Sequence, residues 1–375
     1  MKKNILVVDD SALMRRVICD IINTDSTFQA TDVCRDGLEA YEKLKTTKYD
    51  GVVLDINMPR MNGLELLERL QKEKIKATVI MVSTMTTKDA EVTILAMELG
   101  AIDFVTKPDN VMEAKGEKFK KKLLEVLGAV LKSEQFKRSS ITTRSTSTGT
   151  FAGKSTGLSS ATPTPVSTPA RVSTRPAVNN VKGHNKIVAL ACSTGGPKAL
   201  QSVIPKLPKN LDAPIVLVQH MPAGFTKSMA DRLNETSQIS VKEAEHGDVL
   251  KKGVVYVAPG GKHMEVKKQG DGHVIALNDM PAIGGLRPCA NITYDSLKNS
   301  GYDQVVCVVL TGMGADGTNG ILSLEKSKPI YVISQDAETC VVYGMPKAIA
   351  ETGIVNEVVP LEQVASTITK NVGVQ

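Results

Sequence analysis

Three apolar runs of this chain end on residues that could do chemistry together. Cys192-Ser193-Thr194-Gly195-Gly196-Pro197 closes "KIVALAC", His220 follows "PIVLVQ", and Asp316 falls in "TGMGADGTNG" after "QVVCVVL". A serine, a histidine and an aspartate at the ends of different strands can converge on one cleft as nucleophile, base and orienter. Glycines at 312, 314 and 317 let backbone N–H groups turn inward, as an oxyanion demands. A plainer reading competes, because Ser and Thr are favoured helix N-caps and Pro197 suits a first turn. The stretch "CSTGGP" fits neither the Walker loop, nor the dinucleotide fingerprint, nor the G-x-S-x-G elbow.

Rivals exist for each role. Cys192 is a second nucleophile candidate, but strand alternation sends it to the face opposite Ser193, and cysteines in apolar runs are packed. Asp248 and Asp279 compete with Asp316 without its glycine-rich setting. His184, His246, His263 and His273 are scattered without metal-ligand spacing, and His263, in "APGGKHM", is the one expected near the cleft.

A second constellation lies in the first third of the chain. Asp9 and Asp10 follow "NILVV", Asp55 ends "GVVLD", Ser83 ends "VIMVS" and Lys107 follows "FVT". Three gathered carboxylates raise one another's pKa unless a cation sits among them, and hard oxygen ligands suit magnesium. A lysine and a hydroxyl beside them can hold the oxygens of an incoming phosphoryl group.

Both constellations need parallel sheets to bring strand ends to one edge, and the patterning supplies them. "NILVVD", "ATDVC", "DGVVLDI", "ATVIMVS" and "DFVTKP" alternate with amphipathic stretches, which predicts a doubly wound five-stranded domain closed by "FKKKLLEVLGAVL". "KIVALAC", "PIVLVQH", "GVVYVAP", "QVVCVVLTG", "PIYVISQ" and "IVNEVV" predict a second, Rossmann-like α/β domain of three layers. Between them, Ser139 to Asn180 is rich in Ser and Thr, carries scattered Pro and has no carboxylate, the composition of a flexible linker. The expected division is 1–130, a linker over 131–183, and 184–375.

With 375 residues the chain has room for separate cores, and six cysteines without C-x-x-C spacing read as reduced thiols in a cytoplasmic protein. No signal peptide or membrane span is expected. The net charge of +6 leaves nucleic acid open as a partner, but the lack of Trp and of any basic recognition helix in the second domain counts against it.

"VVDDS", "DINMPRMNG", "MVSTMT" and "FVTKP" resemble the response-regulator receiver family. That resemblance implies Asp55 as phospho-acceptor and Mg2+ held by Asp10, Asp55 and the Asn57 carbonyl, with Asp9 acting through water. It further implies phosphoryl contacts from Ser83 and Lys107 and an aromatic switch at Phe104. "STGGP", "QHMP", "VYVAPGGKHM", "LTGMGADGTNG" and "CVVYGMP" resemble the CheB-type methylesterase family of chemotaxis regulators. The implied activity is hydrolysis of glutamate methyl esters on chemoreceptors, releasing methanol, with deamidation of receptor glutamines and no cofactor for the ester reaction. Ser193, His220 and Asp316 become the implied catalytic set, with Met313 N–H as oxyanion donor and Thr194 assisting. A monomer phosphorylated by a chemotaxis histidine kinase is expected. Two departures stand out: Arg287-Pro288-Cys289-Ala290-Asn291 replaces the usual R-P-S-V-D, which implies a less acidic substrate-facing rim, and the linker is unusually long. The competing function is a response regulator whose second domain binds a ligand or nucleic acid without catalysis.

Overall fold

The computed structural model describes residues 2–108, 113, 116–144 and 185–375. Residues 2–144 form a five-stranded parallel sheet ordered β2-β1-β3-β4-β5, built from β1 (Lys3–Val8), β2 (Phe28–Cys34), β3 (Gly51–Asp55), β4 (Val79–Ser83) and β5 (Asp103–Thr106). β3 and β4 are buried along their whole length, as central strands covered on both faces must be, whereas β2 at the edge alternates. The intervening helices start where the sequence provides caps. Ser11 opens α1 (Ala12–Thr24), Asp36 opens α2 (Gly37–Thr46), an Asn62/Glu65 capping box opens α3 (Gly63–Lys72), and Thr86 opens α4 (Thr87–Glu98). Because every strand is parallel, Asp9, Asp55, Ser83 and Lys107 all fall at the carboxyl edge.

The closing helix α5 spans Glu117–Arg144, so helix continues past residue 130 into the segment expected to be linker. Leu131 is buried in the core of the first domain, which explains why the helix does not stop there. The remainder of the expected linker, 145–183, lies outside the described residues, as does His184.

Residues 185–375 form a seven-stranded parallel sheet, β14-β13-β12-β6-β7-β9-β8. β6 (Lys186–Cys192), β7 (Ile215–Gln219) and β12 (Gln304–Val309) occupy its centre and are almost wholly buried. β9 (Val254–Val257), β13 (Ile330–Gln335) and β14 (Glu357–Val359) complete the expected strands. Two features were not expected. β8 (Ser240–Glu243) is a short polar edge strand, and β10 (His263–Gln269) pairs with β11 (Gly272–Asn278) as an antiparallel hairpin outside the main sheet. Lys267, Lys268 and Gln269 are exposed and mask the strand pattern there.

After β6 the chain builds β7, β9 and β8 on one side and then returns to place β12, β13 and β14 on the other. The strand order therefore reverses at β6 and β12, the crevice where open α/β sheets gather their ligands. Three helices frame it: α6 (Gly196–Val203), α7 (Phe225–Thr236) and α8 (Ala290–Ser296), followed by α9 (Thr318–Glu325), α10 (Met345–Ala350) and α11 (Leu361–Val372). α4 of the first domain packs on α6 and α7 of the second, and a single apolar cluster runs through both domains. No helix among the described residues is long and apolar enough to cross a membrane.

Candidate active site

Ser193 extends the β6–β7–β12 register by one residue. Its N–H donates to the Thr311 carbonyl at 3.0 Å on one side, and on the other the His220 N–H reaches the Cys192 carbonyl at 3.3 Å. The Ser193 carbonyl accepts from Gly196 N–H at 2.7 Å and from Gln219 Nε2 at 3.0 Å. This packing explains the two glycines. Gly195 has φ 75°, and a Cβ there would meet Val341 Cβ at 2.4 Å; at Gly196 it would meet Gln219 Oε1 at 1.9 Å. The helix-cap alternative fails in its side-chain form, because the N-cap of α6 is Gly195 and no side chain caps it. The Ser193 hydroxyl makes no hydrogen bond among the described residues.

His220 Nε2 contacts Asp316 Oδ2 at 2.8 Å, both side chains being almost wholly buried. That contact leaves Nδ1 as the ring nitrogen available to Ser193. Burial alone pushes the Asp316 carboxyl up, but His220, then Ala290 N–H and Cys289, bring it down to about 2. Its oxygens accept from Ala290 N–H at 2.6 Å, Gly317 N–H at 2.9 Å, and Asn291 N–H and Cys289 Sγ at 3.1 Å each. The segment expected to line a substrate rim is therefore engaged with Asp316. Cys289 and Ala290 are buried, and Asn291 Oδ1 accepts from Gly317 and Gly320 N–H at 3.1 and 2.7 Å.

The rivals are occupied elsewhere. Asp248 and Asp279 pair with Lys242 and Lys262 at 2.8 and 3.1 Å. His263 is fully buried with Nε2 3.2 Å from the Pro281 carbonyl, and among the described residues it makes no hydrogen bond to Ser193, His220 or Asp316. His246 meets the Leu277 carbonyl and His273 accepts from Gly301 N–H. Cys192 is fully buried against the Val218 carbonyl, and burial pushes its thiol far up.

Beside Ser193, a Cβ on Gly312 would meet Ser193 Cβ at 3.0 Å and Met345 Sδ at 2.3 Å, so the "TGMG" backbone lies directly against the nucleophile turn. Met313 N–H has no acceptor among the described residues. Thr194 is buried, its carbonyl accepting from Thr311 Oγ1 at 2.9 Å.

At the other edge, carboxylate oxygens of Asp9, Asp10 and Asp55 lie within 4.8 Å of one another. Lys107 Nζ stands 2.8 Å from both Asp9 and Asp55. Asp55 is pushed up to about 6, chiefly by burial, with Lys107 opposing and the Asp9 charge adding to the rise. The buried Asp9 and Asp55 oxygens, with exposed Asp10 beside them, fit a hard divalent cation. Ser83 Oγ accepts from Thr93 Oγ1 at 2.9 Å, and Asn57 Nδ2 donates to Asp89 Oδ1 at 2.8 Å, tying both residues to α4.

The two domains touch through contacts that no local sequence pattern signals. Phe104 stacks on Phe225 at 4.5 Å, Arg232 forks onto Glu98 at 2.7 and 2.8 Å, and Gln201 reaches the Ile94 carbonyl at 3.5 Å. Asp103, buried and with its carboxyl raised by that burial, engages Thr194 next to the nucleophile. Cavities of about 570 Å³ and 460 Å³ flank the hairpin, and neither is lined by Ser193, His220 or Asp316. Of the missed residues, only Gln219 left a sequence cue, as a polar group ending an otherwise apolar buried strand.

Known proteins match both halves. Residues 188–368 match the CheB methylesterase family and residues 5–115 the response regulator receiver domain family. A protein-glutamate methylesterase/protein-glutamine glutaminase of Pyrococcus abyssi is 42% identical over 371 residues, which is 99% of this chain and 94% of the relative. Its Bacillus subtilis counterpart is 40% identical over 97% of each chain. The crystal structure of the Thermotoga maritima CheB methylesterase catalytic domain is 44% identical, covering 50% of this chain and 98% of that one, with a TM-score of 0.48. With relatives aligned along nearly the whole of both chains, this chain belongs to the family of CheB-type protein-glutamate methylesterases/protein-glutamine glutaminases.

Proposed function

We propose that the chain is a phosphorylation-activated carboxylic ester hydrolase acting on glutamate methyl esters of chemoreceptors, and that Ser193, His220 and Asp316 carry the reaction. Ser193 Oγ attacks the ester carbonyl while His220 Nδ1 takes its proton. Charge develops on the carbonyl oxygen, where Met313 N–H and Thr194 receive it. Collapse expels methanol, protonated by His220, and leaves an acyl-serine. Water, deprotonated by His220, then attacks the acyl carbon, releasing the glutamate carboxylate and restoring the Ser193 hydroxyl. A receptor glutamine follows the same course with ammonia as leaving group. Asp316, ionised throughout the working range, fixes the imidazole and stabilises its cation. The observation that carries this reading is the 2.8 Å His220–Asp316 pair at the strand end adjoining an unbonded Ser193.

In the domain spanning 1–130, Asp10, Asp55 and the Asn57 carbonyl, with Asp9 through water, would hold Mg2+, whose charge would neutralise the oxygens of the transferring phosphoryl group. Asp55 accepts the phosphoryl group from a chemotaxis histidine kinase, and Ser83 and Lys107 hold its oxygens. Phe104 responds as the switch. Residues 131–183 link this domain to the catalytic one at 184–375. The unphosphorylated receiver restrains the enzyme through Asp103, which meets Thr194, and through Phe104 and α4, which pack on α7 and α6, and phosphorylation of Asp55 loosens that docking. The substrate helices are cytoplasmic, and we place this protein with them as a monomer that binds no nucleic acid.

Methanol release from methylated receptor tests the reading. Ser193→Ala abolishes it; full retention in that variant would sink the assignment. Labelling by a serine-directed phosphonate in the wild type and not in Ser193→Ala separates an enzyme from a binding module.

A further inference from the structure

Asp316 is held by more than its partner histidine. Its Oδ2 faces His220 Nε2 and Ala290 N–H, while Oδ1 accepts from Gly317 N–H, Asn291 N–H and the Cys289 thiol. We propose that Cys289 is a positioning residue of the esterase, its S–H fixing the rotation of the Asp316 carboxylate so that Oδ2 stays on His220.

The torsion that turns a carboxylate is soft, so its orientation comes from its hydrogen-bond donors. The backbone donors follow from the path of the chain, whereas the thiol is the side-chain donor to Oδ1, at 3.1 Å and 1% exposed. Burial, followed by the Asp316 charge, pushes the thiol up to about 12, so sulfur remains a donor wherever the enzyme works. A packed small hydrophobe would need no such contact. A hydroxyl at this position would donate in the same direction more strongly, and Cys289 fills the role with a weaker donor.

The inference rests on the catalytic reading of Ser193, His220 and Asp316, and the test separates the two. Full-length wild type, Ser193→Ala, Cys289→Ala, Cys289→Val and Cys289→Ser are activated with a small-molecule phosphodonor, and methanol release is followed across pH. Removing a donor to a buried charge is expected to lower kcat about tenfold in Cys289→Ala, with KM unchanged and the pH profile of kcat displaced from that of wild type. Cys289→Val, which restores volume but no donor, shows the same loss and replaces the alanine variant if that one does not fold. Cys289→Ser returns kcat to within about twofold of wild type. Unchanged kcat and pH profile in both donor-free variants overturns the inference, as does a serine variant as poor as they are. Turnover retained by Ser193→Ala instead brings down the catalytic reading and the inference with it.

Discussion

Phe104, the last buried aromatic before Lys107, stacks on Phe225 at the start of α7 with ring centroids 4.5 Å apart and planes 20° from parallel. The residue expected to respond to phosphorylation thus touches the helix that follows His220. Offset ring pairs contribute about 0.5–1.5 kcal/mol beyond their buried area. Phe104→Leu keeps the apolar volume and loses the stack, so its unphosphorylated basal rate of methanol release should rise about twofold to tenfold. An unchanged basal rate would remove the stack from the restraint.

The Arg232–Glu98 fork joins the domains through two parallel hydrogen bonds and is partly exposed, which limits it to about 1 kcal/mol. Glu98→Arg should raise the basal rate about fivefold. Adding Arg232→Glu rebuilds the pair with reversed polarity and should restore the restraint. If the double variant is as active as the single one, the pair does not hold the receiver down.

Asp55 has a distinctive pH signature. Its folded pKa of about 6 stands above the ordinary carboxylate value of 3.8, so the fold favours the protonated form. The associated stability is fully present below the unfolded value and is lost as pH rises through about 6. Without Mg2+, Asp55→Asn should therefore be more stable than wild type at pH 8, by about 2–3 kcal/mol in denaturant melts. The gap should close toward pH 4, and Mg2+ added to wild type should narrow it at pH 8. Equal midpoints at pH 8 would contradict this account.

Asp316 has the opposite sign. Its pKa of about 2 lies below 3.8, so its contribution is present above the unfolded value and is lost as pH falls through about 2. Asp316→Asn keeps the shape, removes the charge and favours the wrong imidazole tautomer. We expect kcat to fall about 10³–10⁴-fold, the scale of the corresponding change in the serine protease triad. A loss under tenfold would assign the orienting role elsewhere.

The sheets and the strand-end residues were legible because a parallel strand writes itself as a continuous apolar run and its carboxyl end as an abrupt polar residue. Asp55, Ser83, Ser193 and His220 all announce themselves this way. Cys289 and Ala290 gave no such cue, since they act through a thiol and an amide N–H drawn in from a distant segment. Asn291 gave none for the same reason: its side-chain oxygen accepts from two backbone N–H groups that only folding brings near. The β10–β11 hairpin was hidden by its exposed lysines, and the contacts of Glu98, Asp103 and Phe104 depend on a partner surface that no local pattern encodes.

Glu98, Phe104 and Gln201 add one ion pair, one ring stack and one amide-to-carbonyl bond to the packing of α4 on α6 and α7. Between two separate proteins the same contact would form only as far as their concentration drives it. Within one chain the docking is intramolecular, and a tether sets an effective concentration on the order of millimolar. The connection between the domains thus acts as a concentration control: lengthening it should raise the idle rate without touching a single contact, and a receiver supplied as a separate protein should be a poor inhibitor.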